Sequence, residues 1–562
     1  MMNTITAAKA IVEVMVREGV EKAFCVPGES YLSVMDAMYD YSEIELISGR
    51  QEGGVSFMAE GYAKATGKVG VCFATRGPGA TNLSIGLHTA YQDSTPVVAF
   101  IGQVESNFRG KEGFQEIDLP EYFKHIVKWT AELREPERVP ELVHRAFHIA
   151  RSGRPGPVLI SLPENILNEV AEMEFTKSDT SVYSLPRPSI DAVEKAKKLL
   201  EEAKRPVIIA GGGVTHTKSA SELVKVAESI NSPVVSAFRR FDAFPNHHSH
   251  YVGSLGLGTP KYLIDFIQSA DVVLALGTRF SQITSQDYSL INVESKLIHI
   301  DISEGELNKI YRPELGVVSD VKSFLIDLLS VTEKGFNNTL IKKNYVQNVR
   351  EEYEKFSTPQ PIDGETTVNL DGMMHDLNSV LPEETILTSD AGNFFGWMYR
   401  YYSFKREGTY IGPTSGTMGY GLPSAIGAKL AHPARPVIAF AGDGGMMMTI
   451  QELETCVRNK IPVIVIVVNN NMYGTIRMHQ EKNYPNRVIA TDLTNPNFAE
   501  LMKIMGGDGV LVENNKDFAP ALEDALSSQV PFLIEVKADP EHISVGKTME
   551  ELREMSQRKA FS

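Results

Sequence analysis

Two polar turns in the last third of the chain have the residue types and spacing to hold a metal ion together. The turn at 442–445 reads GDGG and the turn at 469–471 reads NNN; each follows an apolar run typical of a buried strand. A helical pattern at 449–458 separates them, which predicts two parallel strands joined by a crossover helix. Since the carboxyl ends of parallel strands share one sheet edge, we expect Asp443 and Asn470 to be neighbours, although 27 residues separate them.

A carboxylate oxygen and an amide oxygen suit a hard cation such as Mg²⁺. Two protein ligands leave coordination positions free for phosphate oxygens, and the helix that follows the glycine turn would offer backbone N–H groups to the same anion. Glycines let the backbone approach a ligand closely. The turns therefore predict a metal-bridged diphosphate site at the edge of a sheet. The glycines of this turn are Gly442, Gly444 and Gly445.

Three long segments alternate short apolar runs with helical patterns, which predicts an α/β fold with three doubly wound parallel-sheet domains. We expect an N-terminal domain at 1–175, a central domain at 190–335, a C-terminal domain at 367–545 and a helical tail at 546–562. The proline-containing stretch 173–189 and the polar stretch 333–366 are predicted linkers, the second partly helical. Residues 1–20 are predicted to form an amphipathic helix.

The composition excludes some classes of binding partner and indicates the compartment. The 562 residues carry a net charge of −16, which argues against a nucleic acid or an anionic membrane as partner. No run of about 18 apolar residues is present, so no membrane span is expected. Three cysteines without metal-type spacing indicate buried thiols in a reducing compartment, and we expect a cytoplasmic protein.

The segment 442–470, GDGGMMMTIQELETCVRNKIPVIVIVVNN, resembles the thiamine-diphosphate motif, in which GDG precedes NN at this spacing. Further segments along the chain resemble the acetolactate (acetohydroxyacid) synthase branch of that superfamily. These segments are RQEGGVSFMAEGYAKATGKVGV at 50–71, RGPGATN at 76–82, FQEID at 114–118, SGRPGPVLISLP at 152–163 and PTSGTMGYGLPSAIGAKLA at 413–431.

The resemblance implies a cofactor and residues to hold it. Asp443, Asn470 and the backbone carbonyl of Met472 would bind Mg²⁺, and Glu52 would bond the aminopyrimidine ring of thiamine diphosphate and share a proton with it. Met418 would wedge between the two rings of the cofactor, and Gln115 is a further catalytic candidate. The cofactor-binding candidates are Pro27, Gly28, Glu52, Thr75, Gly77, Asn82, Gly416, Met418, Gly442, Asp443, Gly444, Gly445, Asn470, Met472, Tyr473 and Gly474.

The resemblance also implies an assembly. The loops at 77–79 and 114–115 would face the thiazolium ring from a second subunit, so a homodimer is the smallest expected unit and a tetramer is common. The sequence leaves a regulatory subunit open. It also leaves open whether the central domain binds FAD, because Gly211-Gly212-Gly213 lacks the third glycine of a dinucleotide fingerprint, whose position is His216.

Several positions depart from the synthase pattern and concern the substrate. Glu29 replaces a glycine of the glycine pair found in the synthases, and His479 replaces the tryptophan that shapes their acceptor pocket. The chain has Pro163-Glu164-Asn165 in the segment where the synthases have a lysine. The segment 253–258 also lacks their GMHG pattern. Arg279 matches a synthase arginine that could hold a substrate carboxylate, with a structural salt bridge as the alternative. The substrate candidates are Glu29, Phe114, Arg279, Thr475 and His479.

Three functions remain open at this stage. The first is decarboxylation of a 2-oxoacid, with pyruvate favoured, followed by carboligation to a second carbonyl compound. The second is a decarboxylase or C–C lyase that protonates the carbanion instead. The third is a non-catalytic, metabolite-binding homologue, which the joint presence of Glu52, Met418, Asp443 and Asn470 opposes, since binding alone does not need Glu52.

Overall fold

The computed structural model describes residues 2–175, 184–332, 335–342, 344–359 and 367–560. Three six-stranded sheets, all parallel, dominate it, and helices cover their faces. The predicted α/β fold class with three parallel-sheet domains is therefore confirmed. Within the described residues, no helix is both long enough and apolar enough to cross a membrane.

The N-terminal sheet has the strand order β3-β2-β4-β5-β7-β6. Its five apolar strands agree with the predicted alternation of apolar runs and helical patterns, whereas β6 (WTAE) has no apolar run and was not predicted. The elements are β1 (Met2–Thr6), α1 (Ala7–Arg17), β2 (Lys22–Cys25), α2 (Leu32–Tyr39), β3 (Glu45–Ser48), α3 (Glu52–Thr66), β4 (Gly70–Thr75), α4 (Arg76–Asp93), β5 (Val97–Gln103), α5 (Leu119–Phe123), β6 (Trp129–Glu132), α6 (Val139–Arg151), β7 (Val158–Pro163), α7 (Glu164–Asn168) and β8 (Val170–Glu174).

The prediction of a helix from the first residue is wrong for residues 2–6. They form β1, which pairs antiparallel with β8 from Met2↔Glu174 to Thr6↔Val170. Thr6 ends the strand and caps α1, since its side-chain oxygen accepts a hydrogen bond from the Lys9 backbone N–H at 3.3 Å. The predicted linker 173–189 likewise starts inside β8, and its residues 176–183 lie outside the described part of the chain.

The central sheet has the order β11-β10-β9-β12-β13-β14. Within the predicted linker 333–366, the structure places the helix α13. The elements are α8 (Ile190–Glu201), β9 (Pro206–Ala210), α9 (Gly212–Thr217), α10 (Ala220–Ser229), β10 (Val234–Ser236), β11 (Tyr251–Ser254), α11 (Lys261–Gln268), β12 (Val272–Leu276), β13 (Lys296–Asp301), β14 (Leu315–Val318), α12 (Val321–Thr332) and α13 (Tyr345–Ser357).

The C-terminal sheet has the order β16-β15-β17-β18-β20-β19. The elements are α14 (Leu370–Val380), β15 (Ile386–Ser389), α15 (Phe395–Tyr401), β16 (Tyr410–Ile411), α16 (Gly421–Ala431), β17 (Val437–Gly442), α17 (Asp443–Thr449), α18 (Glu452–Arg458), β18 (Ile464–Asn469), α19 (Gly474–Asn483), α20 (Phe498–Ile504), β19 (Asp508–Val512), α21 (Phe518–Ser527), β20 (Phe532–Lys537) and α22 (Met549–Ala560).

The N-terminal and C-terminal domains pack directly against each other through α3 and α16. A Cβ added at Gly61 would lie 2.5 Å from the backbone oxygen of Ser424, and one added at Gly427 would lie 2.1 Å from the backbone oxygen of Met58. Only glycine allows backbones this close. One continuous apolar core runs through this contact, so the two domains are held as one body.

A buried group of charges lies where the three domains meet. Lys64 contacts Glu60 at 2.8 Å and Asp93 at 2.9 Å, and Arg240 of the central domain contacts Asp93 at 3.1 Å. The Thr414 backbone N–H also donates to Asp93. Burial alone would raise the pKa of Asp93, but the two cations outweigh it and hold that pKa below its usual range. This carboxylate therefore ties the three domains together.

Candidate functional site

The two polar turns meet at the carboxyl edge of the C-terminal sheet. Strands β17 and β18 are parallel neighbours, with Gly442 opposite Val468, so Asp443 and Asn469 follow side by side. Asp443 is 3% exposed. It is also the first residue of α17, so a helix begins within the glycine turn, six residues before the predicted start at 449. The predicted proximity of these turns is present in the structure.

Asn495 organises this pair of turns, although no pattern in the sequence pointed to it. Its side-chain amide donates to Asp443 Oδ2 at 2.8 Å, to Asn469 Oδ1 at 3.0 Å and to Asn471 Oδ1 at 3.2 Å. Asn495 lies in an irregular loop after α19, where no periodicity or spacing marks a function. Its amide bridges the first turn to the second.

The Asp443 carboxylate has the character of a cation ligand. Burial raises its pKa to about 6, although the Asn495 amide and nearby backbone N–H groups, Gly444's among them, favour the charged form. A buried carboxylate is costly unless a positive charge compensates it. The described residues contain no group of three or more His, Cys, Asp or Glu side chains that could hold a metal ion. A cation here would thus rest on one carboxylate with amide and carbonyl oxygens, a set typical of Mg²⁺.

The other predicted ligands lie beside Asp443. The Asn470 side chain makes no hydrogen bond within the described residues, so its oxygen is available. The Met472 carbonyl accepts the Gly474 N–H at 2.9 Å, and its second lone pair remains for a cation. A Cβ added at Gly474 would lie 3.3 Å from Asn470 Nδ2, so glycine there keeps the amide unobstructed.

The glycine turn is compressed by protein atoms as well. A Cβ added at Gly444 would lie 2.7 Å from the Tyr473 ring, and one added at Gly445 would lie 2.2 Å from Asp390 Oδ2. Asp390, also missed from sequence, is 1% exposed and accepts the Gly421 N–H at 2.5 Å. Burial raises the pKa of Asp390 to about 6. It lies between the glycine turn at 442–445 and the turn that carries Met418.

The Met418 turn is built on left-handed glycines. Gly416 has φ +69° and Gly419 has φ +75°, conformations that other residues rarely adopt. Met418 between them is half-buried. The neighbouring Thr417 hydroxyl lies 3.0 Å from the Thr89 hydroxyl of the N-terminal domain, so that domain fixes the turn.

Glu52 is the first residue of α3, at the carboxyl edge of the N-terminal sheet. The Asn82 amide donates to its Oε2 at 3.0 Å, and a Cβ added at Gly79 would lie 3.2 Å from its Oε1. Within the described residues, no hydrogen bond or ion pair joins Glu52 to Asp443 or Asn470. The two predicted halves of the site are thus assembled separately in one chain.

Glu452 of the C-terminal domain holds the start of α3. Its carboxylate accepts the backbone N–H groups of Arg50, at 3.1 and 3.2 Å, and of Gln51, at 3.1 Å. A carboxylate at a helix N-terminus is favoured by the helix dipole. The position of Glu52 therefore depends on the C-terminal domain of the same chain.

The loop with Phe114 and Gln115 crosses the start of α4. Gly77 N–H donates to the Gln115 carbonyl at 2.9 Å, and Gln115 has φ +64°. Phe114 is 72% exposed, with its ring centroid 6.0 Å from the Arg76 guanidinium carbon. Thr75 precedes this turn, and a Cβ added at Gly28 would lie 2.5 Å from Thr75 Cβ.

Arg76 binds two residues at positions that depart from the synthase pattern. The sequence did not predict this contact. Its guanidinium donates to Glu29 Oε1 at 3.1 Å and to Glu164 Oε2 at 2.8 Å. Arg76 is 8% exposed and its backbone has φ +37°. Pro27, next to this group, is exposed. We call Glu29, Arg76 and Glu164 the charge triad.

The remaining substrate candidates lie elsewhere. Thr475 and His479 are on α19, with His479 exposed and Thr475 half-buried. Arg279 lines a cavity of about 1320 Å³ between the three domains, and it donates to the Gln92 carbonyl. Burial lowers the pKa of Arg279 to about 10. None of these three contacts the charge triad through a described hydrogen bond.

Gly211 and Gly213 of the central domain allow close packing within the protein. A Cβ added at Gly211 would lie 2.3 Å from the Gly277 carbonyl oxygen, and one added at Gly213 would lie 2.7 Å from Gly277 Cα. The same stretch lines the interdomain cavity at Gly212, Gly213 and His216. Two of the glycines in the partial dinucleotide pattern are thus explained by contacts within the protein.

Family models match all three domains. Residues 5–122 match the thiamine pyrophosphate enzyme N-terminal TPP binding domain, 193–328 the central domain and 390–536 the C-terminal TPP binding domain. The chain is 34% identical to the "Probable acetolactate synthase large subunit" of Methanocaldococcus jannaschii over 550 residues, covering 95% of this chain and 92% of that protein.

Two further relatives agree. The acetolactate synthase large subunit of Cyanidium caldarium is 32% identical over 553 residues, covering 94% of this chain and 92% of its own. The acetolactate synthase of Arthrospira platensis is 34% identical over 553 residues, covering 95% and 94%. The chain belongs to the thiamine pyrophosphate enzyme family and is a thiamine-diphosphate-dependent enzyme of the acetolactate synthase-like type.

Proposed function

We propose that the chain decarboxylates a 2-oxoacid, with pyruvate favoured, and joins the resulting two-carbon unit to a second carbonyl compound. The observation that carries this is the buried Asp443 carboxylate beside Asn470 at the carboxyl edge of β17 and β18. Ligands of open α/β sheets bind at such an edge. Asp443, Asn470 and the Met472 carbonyl would hold Mg²⁺ and, through it, the diphosphate.

Bound thiamine diphosphate would supply the electron sink for loss of CO₂. Glu52 would hold a proton at the pyrimidine ring, and the Asn82 amide, at 3.0 Å, fixes the carboxylate for that task. Met418, on a turn built by Gly416 and Gly419, would keep the two rings folded together. Gln115 would lie beside the reacting carbon.

We propose that each site lies between two subunits, so that the protein is a homodimer or a larger homo-oligomer. The support is that α3 and α16 bind the two domains of one chain together, while no described hydrogen bond or ion pair joins Glu52 to Asp443 or Asn470. Two of the relatives are named large subunits, so co-purification from the native host would test for a smaller companion chain.

For the interdomain cavity we propose FAD as the occupant. The cavity, about 1320 Å³, exceeds the roughly 300–1,000 Å³ of most small-molecule sites, so it has room for a dinucleotide. Arg154, Arg279 and Lys309 place cations at its wall. A yellow preparation with flavin absorption bands supports the assignment. Protein that stays colourless after incubation with FAD and desalting contradicts it.

A substrate panel tests the reaction. The purified chain, with thiamine diphosphate and Mg²⁺, is given pyruvate and then other 2-oxoacids, and CO₂, acetolactate and acetaldehyde are measured. We expect acetolactate from pyruvate. Acetaldehyde alone would favour a decarboxylase, and no CO₂ from any 2-oxoacid would defeat the proposal. We also propose a cytoplasmic location, since Cys25, Cys72 and Cys456 are buried free thiols.

Glu52→Gln tests the proton step separately from binding. The substitution keeps the shape and removes the carboxyl group that can give and take a proton, so we expect CO₂ release to fall by about 10²–10⁴-fold, with thiamine diphosphate affinity nearly unchanged in a fluorescence titration. Glu45→Gln, an exposed carboxylate on β3 paired with Lys22, is the matched control. Unchanged turnover in Glu52→Gln would remove Glu52 from the mechanism.

A further inference from the structure

The charge triad carries more negative charge than its own structure needs. Arg76 is buried and already has a close partner in Glu164 at 2.8 Å, so one carboxylate suffices to neutralise it. Glu29 adds a second carboxylate at 3.1 Å, and the triad has a net charge of −1. Structural pairing of Arg76 alone therefore does not account for Glu29.

The Glu29 side chain is held at one end and open at the other. Its Oε1 accepts from Arg76, and its Oε2 has no hydrogen-bond partner within the described residues. The side chain is 71% exposed. The Arg76 guanidinium is fixed by Glu164 and faces the Phe114 ring. An oriented carboxylate oxygen is thus presented to the outside of this domain beside an exposed aromatic ring.

This oxygen of Glu29 lies at the same part of the sheet edge as Glu52, the carboxylate proposed to bind the cofactor. β2 and β3 are neighbouring parallel strands, and Glu29 and Glu52 follow their carboxyl ends. Gly28 packs on Thr75 before α4, and the first turns of α4 pack on Glu52. One short stretch of chain therefore positions both carboxylates.

We propose that Glu29, held in place by Arg76, is a specificity-determining residue that selects carbonyl acceptors carrying a hydroxyl group next to the carbonyl. An ionised carboxylate only accepts hydrogen bonds. A hydroxyl donates to it, whereas an alkyl group at the same position leaves the carboxylate oxygen unpaired and partly desolvated. The inference rests on the proposed function, because it concerns the second substrate of the same reaction.

The test is a competition between two acceptors of the same size. With labelled pyruvate as donor, the enzyme with thiamine diphosphate and Mg²⁺ is offered equal amounts of glycolaldehyde and propionaldehyde, and both ligation products are quantified with CO₂. We expect the wild type to favour glycolaldehyde. Glu29→Gly, which restores the glycine of the synthase pattern, should lower that preference by about 10- to 100-fold, as for loss of a hydrogen bond to a charged group.

Two variants separate this effect from structural damage. Glu21→Gly removes an exposed carboxylate paired with Lys68 in the same domain and should leave the product ratio unchanged. Arg76→Lys keeps a cation that cannot reach both carboxylates as a fork, so it should give an intermediate ratio. The lost preference for glycolaldehyde in Glu29→Gly should appear as a raised KM for glycolaldehyde, with the KM for propionaldehyde not raised.

Each outcome separates the two proposals. A product ratio that is the same in the wild type and Glu29→Gly, with CO₂ released by both, overturns the inference and leaves the proposed function standing. A wild type that favours propionaldehyde also overturns it. No CO₂ from the wild type defeats the proposed function and the inference with it. Should Glu29→Gly fail to fold, Glu29→Ala is measured in its place against the same criteria.

Discussion

At the scale of single residues, the two turns proposed to hold the metal ion depend on side chains outside the predicted ligand set. Asn495 holds Asp443, Asn469 and Asn471 with one amide. Asp390 supports the Met418 turn through the Gly421 N–H and lies against Gly445. Loss of a group that orients a metal ligand typically lowers the metal affinity by about 10- to 100-fold.

Asn495→Ala should weaken the binding of Mg²⁺ with thiamine diphosphate by about 10- to 100-fold, because Asp443 and the asparagine turn lose their bridge. The measurement is a titration by calorimetry at fixed Mg²⁺. Asn337→Ala, at an exposed position of the central segment, is the control. An unchanged dissociation constant in Asn495→Ala would show that the turns are positioned without the amide.

The sequence predicted Asp443 and Asn470 as neighbours because both follow strands of one crossover unit, whose geometry is nearly invariant. It missed Asn495 and Arg76, since their partners come from separate loops and no local rule pairs them. β6, an edge strand, was missed because a strand at the rim of a sheet needs no apolar run. β1 was missed because its helix-like pattern continues into α1. The strand forms because it pairs with β8, which is distant in sequence.

At the scale of elements, the tail helix α22 covers α19, the helix that follows the proposed metal site. Glu481 on α19 accepts from Arg553 on α22 at 2.7 and 2.8 Å and from Arg477 at 3.1 Å. Met549 and Leu552 of α22 pack with Met472. The tail therefore docks on a loop that supplies a predicted ligand.

Acid should release this tail. The hydrogen bond from Arg553 is the main cause that lowers the pKa of Glu481, to about 2, from an unfolded value near 4.5. A lowered pKa stabilises docking at full strength above about pH 4.5, and that stabilisation is lost as the pH falls toward 2. The protection of the α22 amides, measured as their hydrogen exchange relative to the intrinsic rate at each pH, should fall across this window. In Arg553→Met this protection should already be low at neutral pH, and equal protection in both proteins would contradict the docking role.

At the scale of the whole molecule, the α3–α16 contact decides how rigidly the two cofactor-binding domains are joined. Gly61→Ala places a methyl group against the Ser424 backbone, which cannot move aside as a flexible side chain could. We expect a loss of about 1–3 kcal/mol in the free energy of unfolding by urea. Gly305→Ala, where the Ser303 hydroxyl at 4.0 Å is the one neighbour within 4 Å among the described residues, should change it by a few tenths of a kcal/mol. Equal losses in both would mean that the helices have room to separate.

The carboxylate of Glu452 would link the two active sites of the proposed dimer. It fixes the start of α3, and with it Glu52, to a domain whose Asp443 would serve a different active site in a dimer. One rigid body would then contain half of each of two sites. In the proposed dimer, a movement of that body on ligand binding at one site would shift the other, so the two sites would share a coupling free energy and their ligand affinities would be linked reciprocally.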